Sequence, residues 1–116
     1  MQPPLYERKA EFFRMLGHPV RIRVLELLGD GPRPVRELLD EVAVEPSNLS
    51  HQLAVLRRAG IVVSSRDAGT VLYALTGPDV ADLMRAARRI LTEMIDGQSA
   101  LLDALRGPSD DGHVAA

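Results

Sequence analysis

The sequence predicts a mainly α-helical fold that carries one β-hairpin, in a single domain covering residues 1–106. Apolar residues recur at helical spacing in five segments, and glycine or proline separates each segment from the next. Only residues 61–65 and 70–75 are instead rich in β-branched residues with a turn between them. A length of 116 residues suits one domain, and we expect residues 107–116 to form a flexible tail.

Two helices are predicted before residue 30. Residues 5–16 carry apolar side chains at helical spacing, and the His18-Pro19 step ends this helix because a residue before proline is biased out of the helical conformation. Pro19 suits the first turn of a second helix at 19–28, which the Gly- and Pro-rich segment 29–32 stops.

A helix-turn-helix followed by a hairpin is predicted in the middle of the chain. A short helix at 34–42 and a longer helix at 46–58 flank a three-residue turn. Strands at 61–65 and 70–75 follow, with residues 66–69 as the tip of the hairpin. This order is typical of a winged helix-turn-helix fold, in which the second helix of the pair enters the major groove of DNA.

The last predicted helix, residues 78–106, carries a heptad pattern. Its apolar positions advance by alternating steps of four and three residues, and Gln98 fills the one polar place in the series. Such a seam predicts a helix–helix contact between two copies of the chain. The apolar members are Val80, Met84, Ala87, Leu91, Met94, Leu101 and Leu105.

The helix at 46–58 has the split character that reading DNA requires. Its apolar face consists of Leu49, Leu53, Val55 and Leu56, and we expect this face to lie in the core. Short polar side chains fill its first two turns, and all of them are expected to face outward: Ser47, Asn48, Ser50, His51 and Gln52. We predict that Asn48, His51 and Gln52 contact base edges and that the two serines contact phosphate.

Basic residues extend this predicted interface. Arg57 and Arg58 close the helix, where they serve either phosphate or an intramolecular salt bridge. Arg66 and Thr70 lie at the hairpin and are expected to reach the adjacent minor groove or backbone. Residues 46–66 contain no acid, although the net charge of the chain is −2.

Acidic residues favour one alternative function. The negative net charge and the acid Glu45 beside the polar helix favour a protein-interaction module that binds DNA weakly or only with a co-regulator. A serine or threonine at position 45 would cap the helix better and would not repel phosphate.

Several other classes of protein are excluded or disfavoured. The absence of cysteine excludes disulfides, thiolate metal sites and thiol redox sensing. No apolar run reaches membrane-spanning length, and the N-terminal residues lack the order of a secretion signal, so we expect a cytoplasmic protein. The sequence has neither a phosphate-binding loop nor a nucleophile and base at a spacing characteristic of a catalytic site, so we expect no enzymatic activity.

Three segments of the chain resemble the ArsR/SmtB family of bacterial winged-helix repressors. They are HPVRIRVLELL, SNLSHQLAVLRRAGIV and the hairpin that ends in YAL, within a resemblance that spans about residues 10–95. The resemblance implies a homodimer built from the first and last helices, an operator near the regulated promoter, and an inducer that usually releases DNA. The expected dimer residues are Leu5, Phe12, Val80, Met84, Ala87, Leu91, Met94 and Leu101.

The metal sites known in this family are not reproduced at the matching positions. Many members carry Cys-Val-Cys at the start of the third helix, where this chain has the segment 34–36, Pro-Val-Arg. Others pair Asp and His across the last helices, where this chain has Gly77, Asp79, Ile90 and Glu93. At these positions only the acids Asp79 and Glu93 could bind a metal. Nickel favours imidazole nitrogen, so the histidines His18 and His113 are the other candidate ligands. Each of the four also fits a plain role as a cap, a solvated helix face or a solvated tail.

The whole-chain pattern, including PPLYERKAEFFRMLGHP, is also similar to a nickel-responsive member of this family. That similarity implies Ni²⁺ as the signal and a separate co-regulator protein that assists the sensor.

Overall fold

The computed structural model describes residues 2–107, and these form five helices and three strands. The predicted metal ligand His113 and most of the predicted tail lie outside the described residues. The elements, in chain order, are α1 (Leu5–Leu16), α2 (Pro19–Leu28), β1 (Arg33–Pro34), α3 (Val35–Val42), α4 (Pro46–Arg58), β2 (Val62–Asp67), β3 (Thr70–Leu75) and α5 (Asp79–Arg106).

The helix boundaries follow the proline and glycine signals closely. His18 is the N-cap of α2, where its Nδ1 accepts a hydrogen bond from the backbone N–H of Val20 at 3.2 Å, and Pro19 occupies the first turn. Helix α3 begins one residue later than predicted, because Pro34 is extended and pairs with Leu72 of β3. The prediction of a mainly helical fold with a hairpin wing is confirmed.

The hairpin is tighter than predicted. Strand β2 continues through Arg66 and Asp67, so the expected four-residue tip is wrong. The turn is only the pair Ala68-Gly69, which have φ values of 50° and 82°. Positive φ at both central residues matches the right-handed twist of the flanking strands, which allows a two-residue turn.

The three strands form one antiparallel sheet in the order β1-β3-β2. Its register pairs Arg33 with Tyr73 on one side of β3, and Asp67 with Thr70 at the tip on the other. The two-residue strand β1 thus ties the segment before α3 to the hairpin that follows α4. This pairing fixes the wing relative to the helix-turn-helix.

A left-handed residue produces the sharp turn between α3 and α4. Ala43 has φ 57° and ψ 49°, and its N–H donates a hydrogen bond to the carbonyl of Leu39 at 3.0 Å. This geometry ends α3 and redirects the chain within the three residues that the sequence predicts for the turn.

The described residues fall into two compact units, divided after Met84. The first contains α1 to α4, the sheet and the beginning of α5, and its core is formed by leucines and valines of α2, α3 and α4, including Val24, Leu25, Leu38, Leu49 and Leu56. The second contains the remainder of α5. Among residues 2–107 no helix is long and apolar enough to span a membrane.

Candidate nucleic-acid interface

Helix α4 is divided into an apolar face and a polar face. Leu49, Leu53 and Leu56 are buried in the core of the first unit. Four of the five predicted polar residues are exposed: Ser47, Asn48, Ser50 and His51. The structure therefore brings these four together on one accessible surface, which we call the α4 polar face.

The fifth predicted residue, Gln52, does not belong to this face, and the expectation that it points outward is wrong. Its side chain is only 5% exposed. Position 52 follows Leu49 by three residues and precedes Leu56 by four, so helical periodicity places it on the buried stripe. This spacing could have indicated that Gln52 is buried, but glutamine is polar and was therefore assigned to the exposed face.

Gln52 can be buried at this position at little cost because both ends of its amide are hydrogen-bonded. Its Oε1 accepts from Nε of Arg21 in α2 at 2.7 Å, and its Nε2 donates to Oδ1 of Asn48 at 3.0 Å. A buried amide without such partners would cost about 1–3 kcal/mol. The side chain thus connects the interior of the domain to the α4 polar face.

Arg21 holds the Gln52 side chain in place, a role that was not predicted from the sequence. Its Nη1 donates to the backbone carbonyl of Met15 in the last turn of α1 at 2.8 Å. Arg21 precedes the buried residues Val24 and Leu25 by three and four positions, so its stem lies along an apolar helix face. One guanidinium group therefore joins the end of α1 to Gln52 in α4.

The N-terminus of α4 has no side-chain cap. Glu45 is the N-cap residue in an extended conformation, with φ −60° and ψ 139°, and its carboxylate makes no capping hydrogen bond. Pro46 takes the first helical position, which leaves the backbone N–H groups of Ser47 and Asn48 directed out of the helix end. These donors adjoin the α4 polar face.

Glu45→Ser is expected to raise the free energy of unfolding by about 1 kcal/mol, because the hydroxyl of serine accepts a hydrogen bond from the open end of α4. Urea denaturation with an unchanged m-value would measure the gain. Glu45→Gln is the control, since it removes the charge and adds little capping. Equal gains from both variants would show that charge removal, rather than capping, is responsible.

The arginines predicted to contact DNA are exposed. Arg57 and Arg58 lie in the last turn of α4, and within residues 2–107 neither forms an ion pair, so the predicted alternative of an intramolecular salt bridge is not observed there. Arg66 is exposed on β2 and Thr70 is half-buried at the start of β3. Asp67 is also exposed beside Arg66, which places an acid at the wing tip.

Most of the predicted dimer residues have solvent-accessible surface that is available for contact with a second copy of the chain. Leu5 of α1 is exposed, and the large apolar side chains of α5 that follow residue 89 are more than half exposed: Ile90, Leu91, Met94, Ile95, Leu101, Leu102 and Leu105. Val80 and Ala87 are half-buried, as is Phe12, whose ring contacts Phe13 edge to face with centroids 5.6 Å apart.

Met84 differs from the other predicted dimer residues. It is 8% exposed and belongs to the core of the first unit. The heptad pattern could not reveal this, because a residue at a seam position of a long helix can equally face the core of its own domain. Little of its surface therefore remains for a second copy.

Three of the candidate metal ligands, His18, Asp79 and Glu93, lie within residues 2–107. His18 already uses Nδ1 to cap α2, while Asp79 and Glu93 are both exposed on α5 and belong to different compact units. Within residues 2–107, no group of three or more His, Asp or Glu side chains is arranged to hold a metal ion.

The segment that contains the α4 polar face is similar to helix-turn-helix domains of known proteins. A family model described as a helix-turn-helix domain matches residues 16–65, from the end of α1 into β2. The chain is 50% identical over 104 residues to the uncharacterized HTH-type transcriptional regulator Rv0081 of Mycobacterium tuberculosis, which covers 89% of this chain and 91% of that protein.

Solved structures of other proteins share the fold. The crystal structure of M. tuberculosis Rv0081 matches with a TM-score of 0.76 and 48% identity, over 84% of this chain and 99% of that chain. A solution NMR structure of Mb0332 from Mycobacterium bovis matches with a TM-score of 0.70 and 25% identity, over 80% of this chain and 86% of that chain. Mb0332 is described as a homodimeric winged helix-turn-helix DNA-binding domain and a possible ArsR-family transcriptional regulator.

Proposed function

Because the chain belongs to the HTH-type transcriptional regulators of the ArsR/SmtB-like winged-helix family, we propose that it binds an inverted-repeat operator in double-stranded DNA as a homodimer and thereby regulates transcription. The observation that carries the proposal is the α4 polar face, where four short polar side chains are exposed above a fully buried leucine stripe. A helix of this kind fits the width of the major groove, and its N-terminal residues reach base edges.

The exposed residues divide by chemistry into base contacts and phosphate contacts. Asn48 and His51 carry groups that can pair with base edges, so we assign them to base reading. Phosphate contacts are assigned to residues whose role is independent of sequence: Ser47, Ser50, Arg57 and Arg58 of α4, with Arg66 and Thr70 of the wing. Gln52, which is buried, is removed from the contact set and supports Asn48 instead.

The dimer is assigned to the exposed apolar surface of α5. Leu91, Met94 and Leu101 present large apolar side chains to solvent in the single chain. A contiguous apolar surface of this kind is a marker of association. A two-fold dimer would present two copies of α4 to successive major grooves, so the operator should be an inverted repeat.

DNA binding is expected to weaken steeply as salt rises, because each neutralised phosphate releases counterions. The log–log slope should be roughly −0.9 for each phosphate contact, so six contacts lose about a thousandfold in affinity between 50 and 200 mM salt. Arg58→Ala should reduce that slope by up to about 2 per dimer, since both copies lose one contact. Mobility shift of a duplex containing the promoter of the chain's own operon measures both quantities.

Arg106→Ala provides the matched control, because Arg106 is exposed in the last turn of α5 and is not assigned to DNA. Its salt slope should equal that of the unmodified chain. Absence of binding at low salt would overturn the proposed function.

A second function is favoured by two exposed acids, one beside the α4 polar face and one at the wing tip. Glu45 at one end and Asp67 at the wing tip both repel phosphate, and the net charge of the chain is −2. These charges support a protein-interaction module that binds DNA weakly or only together with a co-regulator. The same mobility shift separates the two functions, because the module alone would bind the duplex only weakly or not at all even at low salt.

Nickel response and the need for a co-regulator stay predictions from the sequence. The fold and the α4 polar face do not depend on them, and the residues 2–107 offer no three-ligand group in a single chain. We therefore assign no residue to a metal ion.

A further inference from the structure

The hydrogen bonds that join Arg21, Gln52 and Asn48 have only one possible direction. A guanidinium group has donors and no acceptor, so the Gln52 atom that meets Nε of Arg21 at 2.7 Å must be the carbonyl oxygen Oε1. The other end of the amide, Nε2, is then a donor, and it meets Oδ1 of Asn48 at 3.0 Å. The identity of one arginine thus determines the orientation of two amides in succession.

This direction determines which group of Asn48 is free. Its Oδ1 already accepts a hydrogen bond from Gln52, whereas within residues 2–107 its Nδ2 has no hydrogen-bond partner. Asn48 is exposed on the α4 polar face while Gln52 is buried below it. The side chain therefore offers solvent an amino group, which is a donor with two hydrogens.

The anchoring of Arg21 keeps this arrangement in place. Its second bond, from Nη1 to the carbonyl of Met15, holds the guanidinium at the end of α1. Rotating the Gln52 amide by half a turn would bring its NH₂ group against the guanidinium, donor against donor, and would leave buried groups unpaired. Such unpaired groups are costly in a buried site, so the chain of bonds resists reversal.

Resting on the proposed function, we propose that Gln52 is a positioning residue that presents Asn48 to the major groove as a hydrogen-bond donor, and that each half-site therefore carries guanine or thymine at the base that Asn48 meets. Guanine offers the acceptors N7 and O6, and thymine offers O4. Adenine is disfavoured because its one acceptor on this edge, N7, lies beside the N6 amino donor, whose partner in the usual two-bond pairing is the Oδ1 that already accepts from Gln52. Cytosine is disfavoured because it offers a donor.

The test is selection of bound duplexes from a double-stranded DNA library with a randomised central segment, using the purified full chain. The position at which the Asn48→Ala variant no longer prefers any base identifies the base that Asn48 contacts. At that position the unmodified chain should prefer guanine or thymine over adenine by about fivefold, the effect of one well-placed hydrogen bond.

Gln52→Glu should reverse the preference at this position. The carboxylate still accepts from Arg21 but has no hydrogen to donate, so the Asn48 amide is expected to turn and donate to it, which leaves Oδ1 facing the groove. Adenine or cytosine should then be enriched. The added charge lowers affinity for all duplexes alike, so the preference is scored as a ratio between bases.

Gln52→Met is the companion variant, since it keeps the volume of the side chain and removes both hydrogen bonds. Asn48 should then rotate freely, and the preference for guanine or thymine over adenine should fall to within about twofold. Circular dichroism checks that both variants are folded. If neither folds, the base chosen by the unmodified chain decides alone.

Three outcomes would overturn the inference while the proposed function stands. They are adenine or cytosine at the position sensitive to Asn48→Ala, no position sensitive to that change, and an unaltered base preference in folded Gln52→Glu. A library from which the unmodified chain enriches no motif would overturn the proposed function, and this inference with it.

Discussion

Leu91→Glu is expected to convert the proposed dimer into monomers. Leu91 is 57% exposed in the single chain, and the exposed side chains of Met94 and Leu101 lie on the same side of α5. In a two-fold dimer the substitution occurs in both copies, so two carboxylates would be buried in an apolar contact. The desolvation penalty is several kcal/mol for each unpaired ion, which exceeds what the remaining contacts of one helix can offset.

Light scattering measures the result directly, since the chain mass is 12.7 kDa and the dimer is twice that. Ala100→Glu is the matched control. Ala100 follows Leu91 by nine residues, about two and a half helical turns, so it lies on the opposite side of α5 and should leave the mass unchanged. A Leu91→Glu variant that keeps the dimer mass would remove α5 from the interface.

His51→Glu is expected to abolish operator binding, with a loss of about a hundredfold or more for the dimer. His51 is exposed in the second turn of α4, where the proposed complex places it between the two phosphate backbones of the major groove. The substitution removes one base contact from each half-site and adds a negative charge beside DNA. Both effects act twice because the dimer carries two copies of α4.

Titration of a labelled promoter duplex at low salt measures the loss. Ala100→Glu again serves as the control, because it adds the same charge outside the proposed interface. His51→Gln keeps a polar side chain without the charge, and it should lose much less affinity than His51→Glu. Near-equal binding by His51→Glu and the unmodified chain would show that the α4 polar face does not enter the groove.

Much of the architecture was predictable because local signals determined it. The His18-Pro19 step and Pro46 mark helix starts whatever the rest of the chain does, since proline fixes its own φ and restricts the preceding residue. Strand β1 was not predictable in this way. Two residues form a strand only when a partner strand is present, and the pairing of Pro34 with Leu72 depends on the complete fold.

The α4 polar face was predictable as a set, but the role of Gln52 was not recognised. A polar side chain at a buried helical position has to be interpreted by its partner, and that partner, Arg21, is 31 residues away in the sequence. Met84 shows a different limit of prediction from sequence. Its position in the heptad is correct, yet the pattern does not distinguish the core of one chain from the contact between two.

The exposed apolar side of α5 has a consequence for the sensitivity of the proposed regulator to its own abundance. If two chains must associate before either α4 can hold its half-site, the amount of binding-competent protein at low concentration grows with the square of the number of chains. A twofold rise in expression would then give about a fourfold rise in competent protein. Weak association along α5 would thus make the response to synthesis and degradation of the chain steeper than a monomeric regulator allows.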